Sequence, residues 1–236
     1  MSKLSQPMTT TSSPSITIRI GDVRYDIDVS KIPYLSSFVD FQANTQPQST
    51  ELVHGPIPLF DIALKGIESG YRQCFRSLPA DLSQHRILCD TYDFLRVDAL
   101  GGQSINEIFR DLKPGQSDYD REERREIKGD KSKARDTAFK LLYLILLRDF
   151  KDEMQDSAKV FNAVLYLVSH AATFKWRTRS VVRAAYEERF VISTKQTAAL
   201  DKWEKKDTAK LAVEDAGDVT TEEEKSDCYY TSDYSD

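Results

Sequence analysis

The sequence predicts an α+β fold: a small sheet packed by helices, followed by an α-helical subdomain and a disordered acidic tail. Three observations predict it. Apolar and polar residues alternate at 16–20 and 23–29, the period of a half-buried strand. Most of the rest carries apolar residues at helical spacing. Acids then crowd the end of the chain, where little apolar surface remains to offset the entropy of ordering.

Taken in order, residues 1–14 are polar and rich in Ser and Thr, and read as a flexible arm. Ile16, Ile18 and Ile20 form one strand face; Val23, Tyr25, Ile27 and Val29 form the next. Gly21-Asp22 between them suits a two-residue type II′ hairpin. Ser30 is placed to cap a helix through about Phe41. Residues 42–50 read as a loop around Pro47, and Glu51 to His54 as a short strand. Phe60, Ala63, Leu64 and Ile67 line a helix in which Gly66 and Gly70 each cost about 1 kcal/mol against Ala. Those glycines imply a close approach or a bend. Asp81 caps a helix over 82–97 that stops at Gly101-Gly102. Ser104 and Glu107 have capping-box spacing for a short helix to Leu112. Residues 113–133 contain Pro114-Gly115 and a run of mixed charge, and read as a linker or a solvated helix. The apolar stretch 139–147 needs cover on most sides, and helices over 134–150, 158–168 and 179–190 are expected to share one core. A weaker helix follows at 196–211. The domain plan is therefore arm 1–14, α+β domain 15–112, linker 113–133, helical subdomain 134–212 and tail 213–236.

Hydrophobic residues make up 40% of the 236 and charged residues 30%, enough apolar material for a sizeable core. The net charge of -5 is uneven. Residues 213–236 hold nine acids against Lys225, a charge of -8, so the remainder is +3. That balance carries no general nucleic-acid or membrane footprint. Cys74, Cys89 and Cys228 are few, odd in number and far apart, which fits a reducing compartment. The longest apolar run, Leu141 to Leu147, is far short of the ~20 residues that span a bilayer. An intracellular location, cytoplasmic or nuclear, is expected.

No catalytic, cofactor or metal motif emerges. His54, His85 and His170 have no Cys or His at ligand spacing, and Gly101-Gly102 lacks the lysine of a phosphate loop. Ser169-His170 resembles a nucleophile and base, but adjacent residues on a helix point apart, so His170 is expected to cap a helix end. Lys175, Trp176, Arg177, Arg179 and Arg183 form the one basic-aromatic cluster, a pattern that can bind phosphate and stack on bases. A weak nuclear-localisation pattern spans 128–135. Thr220 and Thr221 each precede a Glu by three residues, spacing that suits an acid-directed kinase.

Residues 16–112 resemble a BTB/POZ domain of the divergent kind found in fungal proteins. The hairpin, the stretch Tyr25-Asp26-Ile27-Asp28-Val29 and the helix signal Leu35-Ser36-Ser37-Phe38 carry the resemblance. It continues through Phe60 to Arg72, as the next hairpin helix, and 81–97, with Thr91-Tyr92-Asp93-Phe94-Leu95, as the later helix that packs behind it. Ser30-Lys31 departs from the family's usual step after the second strand, and the third strand is shortened to four residues at most. The resemblance implies self-association and recruitment of protein partners, including cullin scaffolds of ubiquitin ligases. Cullin docking in that family uses an apolar-x-acid step near the third strand, and Leu59, Phe60 and Asp61 supply one.

An interaction adaptor is therefore the expected function, with a nucleic-acid-associated regulator built on 174–183 as the alternative. The tail is expected to shield the basic cluster weakly, since each exposed ion pair is worth roughly 0.2–1 kcal/mol. Deleting 214–236 should leave the melting temperature unchanged and strengthen binding of acidic ligands at low salt only, with phosphate on Thr220 or Thr221 acting oppositely. Equal affinities for full-length and truncated protein in a low-salt titration would reduce the tail to a solubilising appendage.

Overall fold

The computed structural model describes residues 15–45, 51–112, 121–148, 150 and 153–204. They fall into two units, one running to Ile192 and one from Ser193.

The alternating residues form β1 (Ile16–Ile20) and β2 (Val23–Ile27), an antiparallel hairpin that pairs Ile18 with Tyr25 and Ile20 with Val23. Its turn has Gly21 at φ +58, and Asp22 is not in the positive-φ region, as a type II′ turn requires. β3 (Leu52–His54) runs parallel to β1, so the sheet order is β2-β1-β3. Ile18, Ile20 and Ile27 are buried, while Val23 is exposed.

The next segment differs from expectation at its cap. Asp28, not Ser30, accepts the first amide: its carboxylate takes Ser30 N–H at 3.2 Å and closes a 3-10 turn at Val29–Lys31. Helix α1 (Pro33–Thr45) then starts on proline, whose missing N–H costs nothing at the first position. Next come α2 (Phe60–Ser69), α3 (Arg72–Ser77), α4 (Leu82–Phe94) and α5 (Ile105–Leu112). Asp81 caps α4 by accepting from Ser83 N–H at 2.9 Å, and Glu107 accepts from Ser104 N–H at 2.8 Å in the anticipated capping box.

The first unit also contains α6 (Arg121–Leu147), α7 (Glu153–Ser169) and α8 (Trp176–Arg189). Helix α9 (Thr194–Glu204) belongs to the second unit and opens with its own capping box, Ser193 with Gln196. Residues 121–133, expected as part of a linker or a solvated helix, are the first part of α6, and residues up to Ile192 fall in one unit. The same helix becomes apolar from Ala134 onward. The 128–135 segment lies on it, with Ala134 buried. The arm 1–14 and the whole tail 213–236, with Thr220, Thr221 and Cys228, lie outside the described residues.

Helix α6 sits at the centre, packed on α3, α4, α5 and α8. Ala134, Ala138, Phe139, Leu141, Leu142 and Ile145 are fully buried, as the apolar run demands. Phe139 stacks on Tyr71 at 5.2 Å and meets Phe75 and Tyr92 edge-on at 5.9 and 5.5 Å. Such aromatic pairs are worth about 0.5–1.5 kcal/mol beyond area burial. Tyr92 reaches onward from α4 to donate its hydroxyl to Ala63 O at 3.0 Å in α2. His85 is 1% exposed and tilted on Phe75. Burial lowers its pKa, and its Nδ1 lies 2.9 Å from Asp81 O, an acceptor only, so Nδ1 holds the proton.

Gly66 is the close-approach glycine. A Cβ there would lie 2.1 Å from Tyr92 Oη and 2.9 Å from Cys74 Sγ. Alanine gains about 1 kcal/mol of helix propensity, but overpacking costs about 1–3 kcal/mol and the buried Tyr92 hydroxyl must leave Ala63. Gly66→Ala should therefore destabilise by on the order of 1–2 kcal/mol, read as a lower urea midpoint. An unchanged midpoint would show that α2 and α4 separate freely.

Candidate functional site

The Leu59-Phe60-Asp61 step starts α2. Leu59 has φ +51, a left-handed conformation that costs a non-glycine residue roughly 1–2 kcal/mol. Thr91 Oγ1 donates to Pro58 O at 2.8 Å and holds this loop to α4. Phe60 is 3% exposed, with its ring edge-on to Tyr25 at 4.9 Å. As the first helical residue it faces the sheet, so it is core rather than partner surface. Asp61 is exposed. Burial first, and then the Asp61 charge, raise the Tyr25 pKa.

The basic cluster is likewise divided. Lys175 is exposed and Trp176 and Arg177 are half-buried, but Arg179 and Arg183 are 7% and 9% exposed. Arg179 donates to Val168 O at 3.3 Å, at the end of α7, and Arg183 pairs with Glu187 at 2.6 Å one turn along α8. Arg179 thus ties α8 to α7, while the Arg183–Glu187 pair lies within α8, and both arginines are on its packed side. The cluster is therefore divided between the exposed Lys175, the half-buried Trp176 and Arg177, and the buried Arg179 and Arg183.

Ser169 and His170 do come together, against expectation: Ser169 Oγ lies 2.9 Å from His170 Nδ1. Helix α7 ends at Ser169, which frees His170 to fold back and stack on Tyr166 at 3.8 Å. Nδ1 is also 2.7 Å from Tyr166 O, and Ser169 donates to that same carbonyl at 2.8 Å. A carbonyl only accepts, so Nδ1 carries the proton and cannot take one from Ser169. The pair caps α7, the role expected of His170.

A pocket of about 570 Å³ opens where the 3-10 turn, the ends of α2 and α4, and α6 meet. Pro33, Ile67 and Val97 give it apolar walls. Its charged lining is Lys31, Arg96 and Lys140 against Asp98 and Asp136, with Tyr71 alongside. Both carboxylates are engaged. Asp136 accepts the Arg72 backbone N–H at 2.7 Å and its guanidinium at 3.1 Å. It caps α3 from a distance, since Tyr71 at the N-cap supplies no side-chain bond. Asp98 accepts from Leu100 N–H and Gly102 N–H at 3.1 and 2.9 Å.

The donors are less committed. Lys140 gives hydrogen bonds to Leu100 O and Gln103 Oε1, at 3.2 and 2.8 Å, and an ammonium has a third proton. Lys31 lies 3.6 Å from Asp28. Burial pushes the Tyr71 phenol up to about 12, so it stays a neutral donor at ordinary pH. Arg96 is exposed and has φ +55. It follows a helix end in which Val97 N–H reaches Tyr92 O at 3.0 Å and Arg96 N–H reaches Asp93 O at 2.9 Å. That is a Schellman end, where glycine is commonest.

The sequence did not single out this pocket. Its residues come from four separate segments, and the helix end at Phe94 lacks the Gly or Pro that marks a stop. Among the described residues, no group of His, Cys, Asp or Glu is arranged to hold a metal ion, and no helix is long and apolar enough to cross a membrane. No family model, curated protein or solved structure matches the chain.

Arg96 makes no ion pair among the described residues, so its strained backbone is unsupported by its side chain. Arg96→Gly should relieve the left-handed conformation and stabilise the fold by about 1 kcal/mol. A calorimetric scan checks it; a clear fall in melting temperature would reveal a stabilising contact at that guanidinium.

Proposed function

We propose that this chain is a protein-interaction adaptor, BTB/POZ-like over residues 16–112, that self-associates and recruits a protein partner. The observation that carries the reading is the order of elements. A hairpin, a helix, a short third strand beside the first, a helical pair and a later helix packed behind them follow one another, as the resemblance implies. A cluster of rings adds support: Tyr34, Phe38, His54 and Phe94 pack together, with Tyr34 and Phe94 at 4.4 Å and Phe38 and His54 at 5.0 Å. Phe94 is nevertheless 47% exposed, and Phe41 on α1 is 61% exposed. Large apolar side chains left in water beside an aromatic cluster favour a docking role.

Recruitment of a cullin through Leu59, Phe60 and Asp61 would have to work with Asp61 and the exposed part of Leu59, because the Phe60 ring is packed on Tyr25. The nucleic-acid alternative has less support, since Arg179 and Arg183 are buried.

Light scattering and crosslinking of the purified full chain should give a species heavier than the monomer. Phe41→Ser with Phe94→Ser should weaken it about tenfold or more, the loss expected for two exposed aromatic anchors. A strict monomer that also retrieves no partner from cells would overturn the adaptor reading.

A further inference from the structure

We propose that the pocket beneath Arg96 binds a monoanionic carboxylate, an assignment independent of the adaptor reading. Its volume of about 570 Å³ falls within the range of small-ligand sites, about 300–1,000 Å³. Three cations against two carboxylates leave the lining one positive charge in excess. The two acids do not compete for that charge equally with a ligand. Asp136 is held by Arg72 and Asp98 by two backbone amides. One excess charge suits a monoanion; a dianion would leave negative charge uncompensated beside those acids.

Three potential donors are among the lining residues. Arg96 offers the planar fork that matches a carboxylate. The Tyr71 hydroxyl has no hydrogen-bond partner among the described residues, and burial keeps it protonated. Lys31 adds a point charge, and Pro33, Ile67 and Val97 take the apolar body. A second observation points the same way. Arg96 occupies a left-handed helix end where glycine fits without strain, and its side chain makes no compensating contact within the described residues. The strain is explained if the guanidinium serves a ligand.

The test uses full-length, isotope-labelled protein titrated with N-acetylglycine and benzoate, and separately with hydrogen phosphate and succinate, at matched ionic strength. Amide signals of residues 31, 32, 66–71, 96–98 and 136–140 should shift and saturate with the monocarboxylates, more tightly than with the dianions. Arg96→Gly should weaken binding about tenfold or more at an equal or higher melting temperature, and Lys31→Gln by a smaller factor. A short peptide with a free C-terminal carboxylate, set against its C-terminal amide, separates the two sources of this chemistry. Tighter binding of the peptide acid than of N-acetylglycine assigns the pocket to a chain terminus; the reverse order assigns it to a free organic acid. Non-saturating shifts, preference for the dianions, or unaltered binding by Arg96→Gly would overturn the proposal while leaving the adaptor reading untouched.

Discussion

The first unit depends on one ring. Phe139 leaves α6 and packs against Tyr71, Phe75 and Tyr92, so a single side chain joins α6 to the α2–α3 corner, to α3 and to α4. Tyr92 passes the constraint on through its hydroxyl to Ala63, which sets the spacing of α2 and α4 and excludes any side chain at Gly66. Burying an aromatic side chain of this size contributes roughly 1.5–3 kcal/mol, and its removal typically costs 3–5 kcal/mol once the cavity is counted. The sheet half and the helical half share this contact, which is why the two expected domains form one unit.

Polar groups fix the orientation that the ring alone leaves free. Asp136, nearly one turn from Phe139 on α6, caps α3. Lys140 reaches the 100–103 loop, and Arg135 donates to Thr173 O at 2.8 Å between α7 and α8. Lys133 pairs with Asp111 of α5 at 3.0 Å. The contacts with carbonyls are directional and worth roughly 0.5–1.5 kcal/mol each, while the half-exposed Lys133–Asp111 pair contributes roughly 0–1 kcal/mol. Arg135, Lys133 and Lys140 therefore tie α6 to neighbouring elements. Of these groups, Asp136 and Lys140 also line the pocket, so occupancy there would act on α6 at its contacts with α3 and the 100–103 loop.

The hairpin and most helix starts were legible in the sequence, since strand alternation, capping residues and turn glycine are local signals with local causes. Asp81, Ser104 and Gly21 did what their neighbours required. The cap before α1 was misassigned by two residues because Asp28 and Ser30 are both good acceptors, and only the 3-10 turn decides between them. The run at 113–133 looked like a boundary because charge replaces apolar residues there; a helix can cross such a stretch when its far end is anchored in a core.

The candidate site was less legible. Basic residues at 175–183 read as one patch in the sequence, yet helix α8 presents Arg179 and Arg183 to its packed side. Composition and periodicity by themselves determined that this chain has a small sheet, several amphipathic helices, one helix apolar on nearly all sides and a strongly acidic end. Only the tertiary structure decided which face each helix turns inward, and hence which arginines are ties and which acids are caps. It also decided that Lys31, Tyr71, Arg96 and Lys140 share a pocket. Local propensity acts over one or two turns of chain, whereas burial and pocket formation depend on residues tens of positions apart that meet only when the core closes.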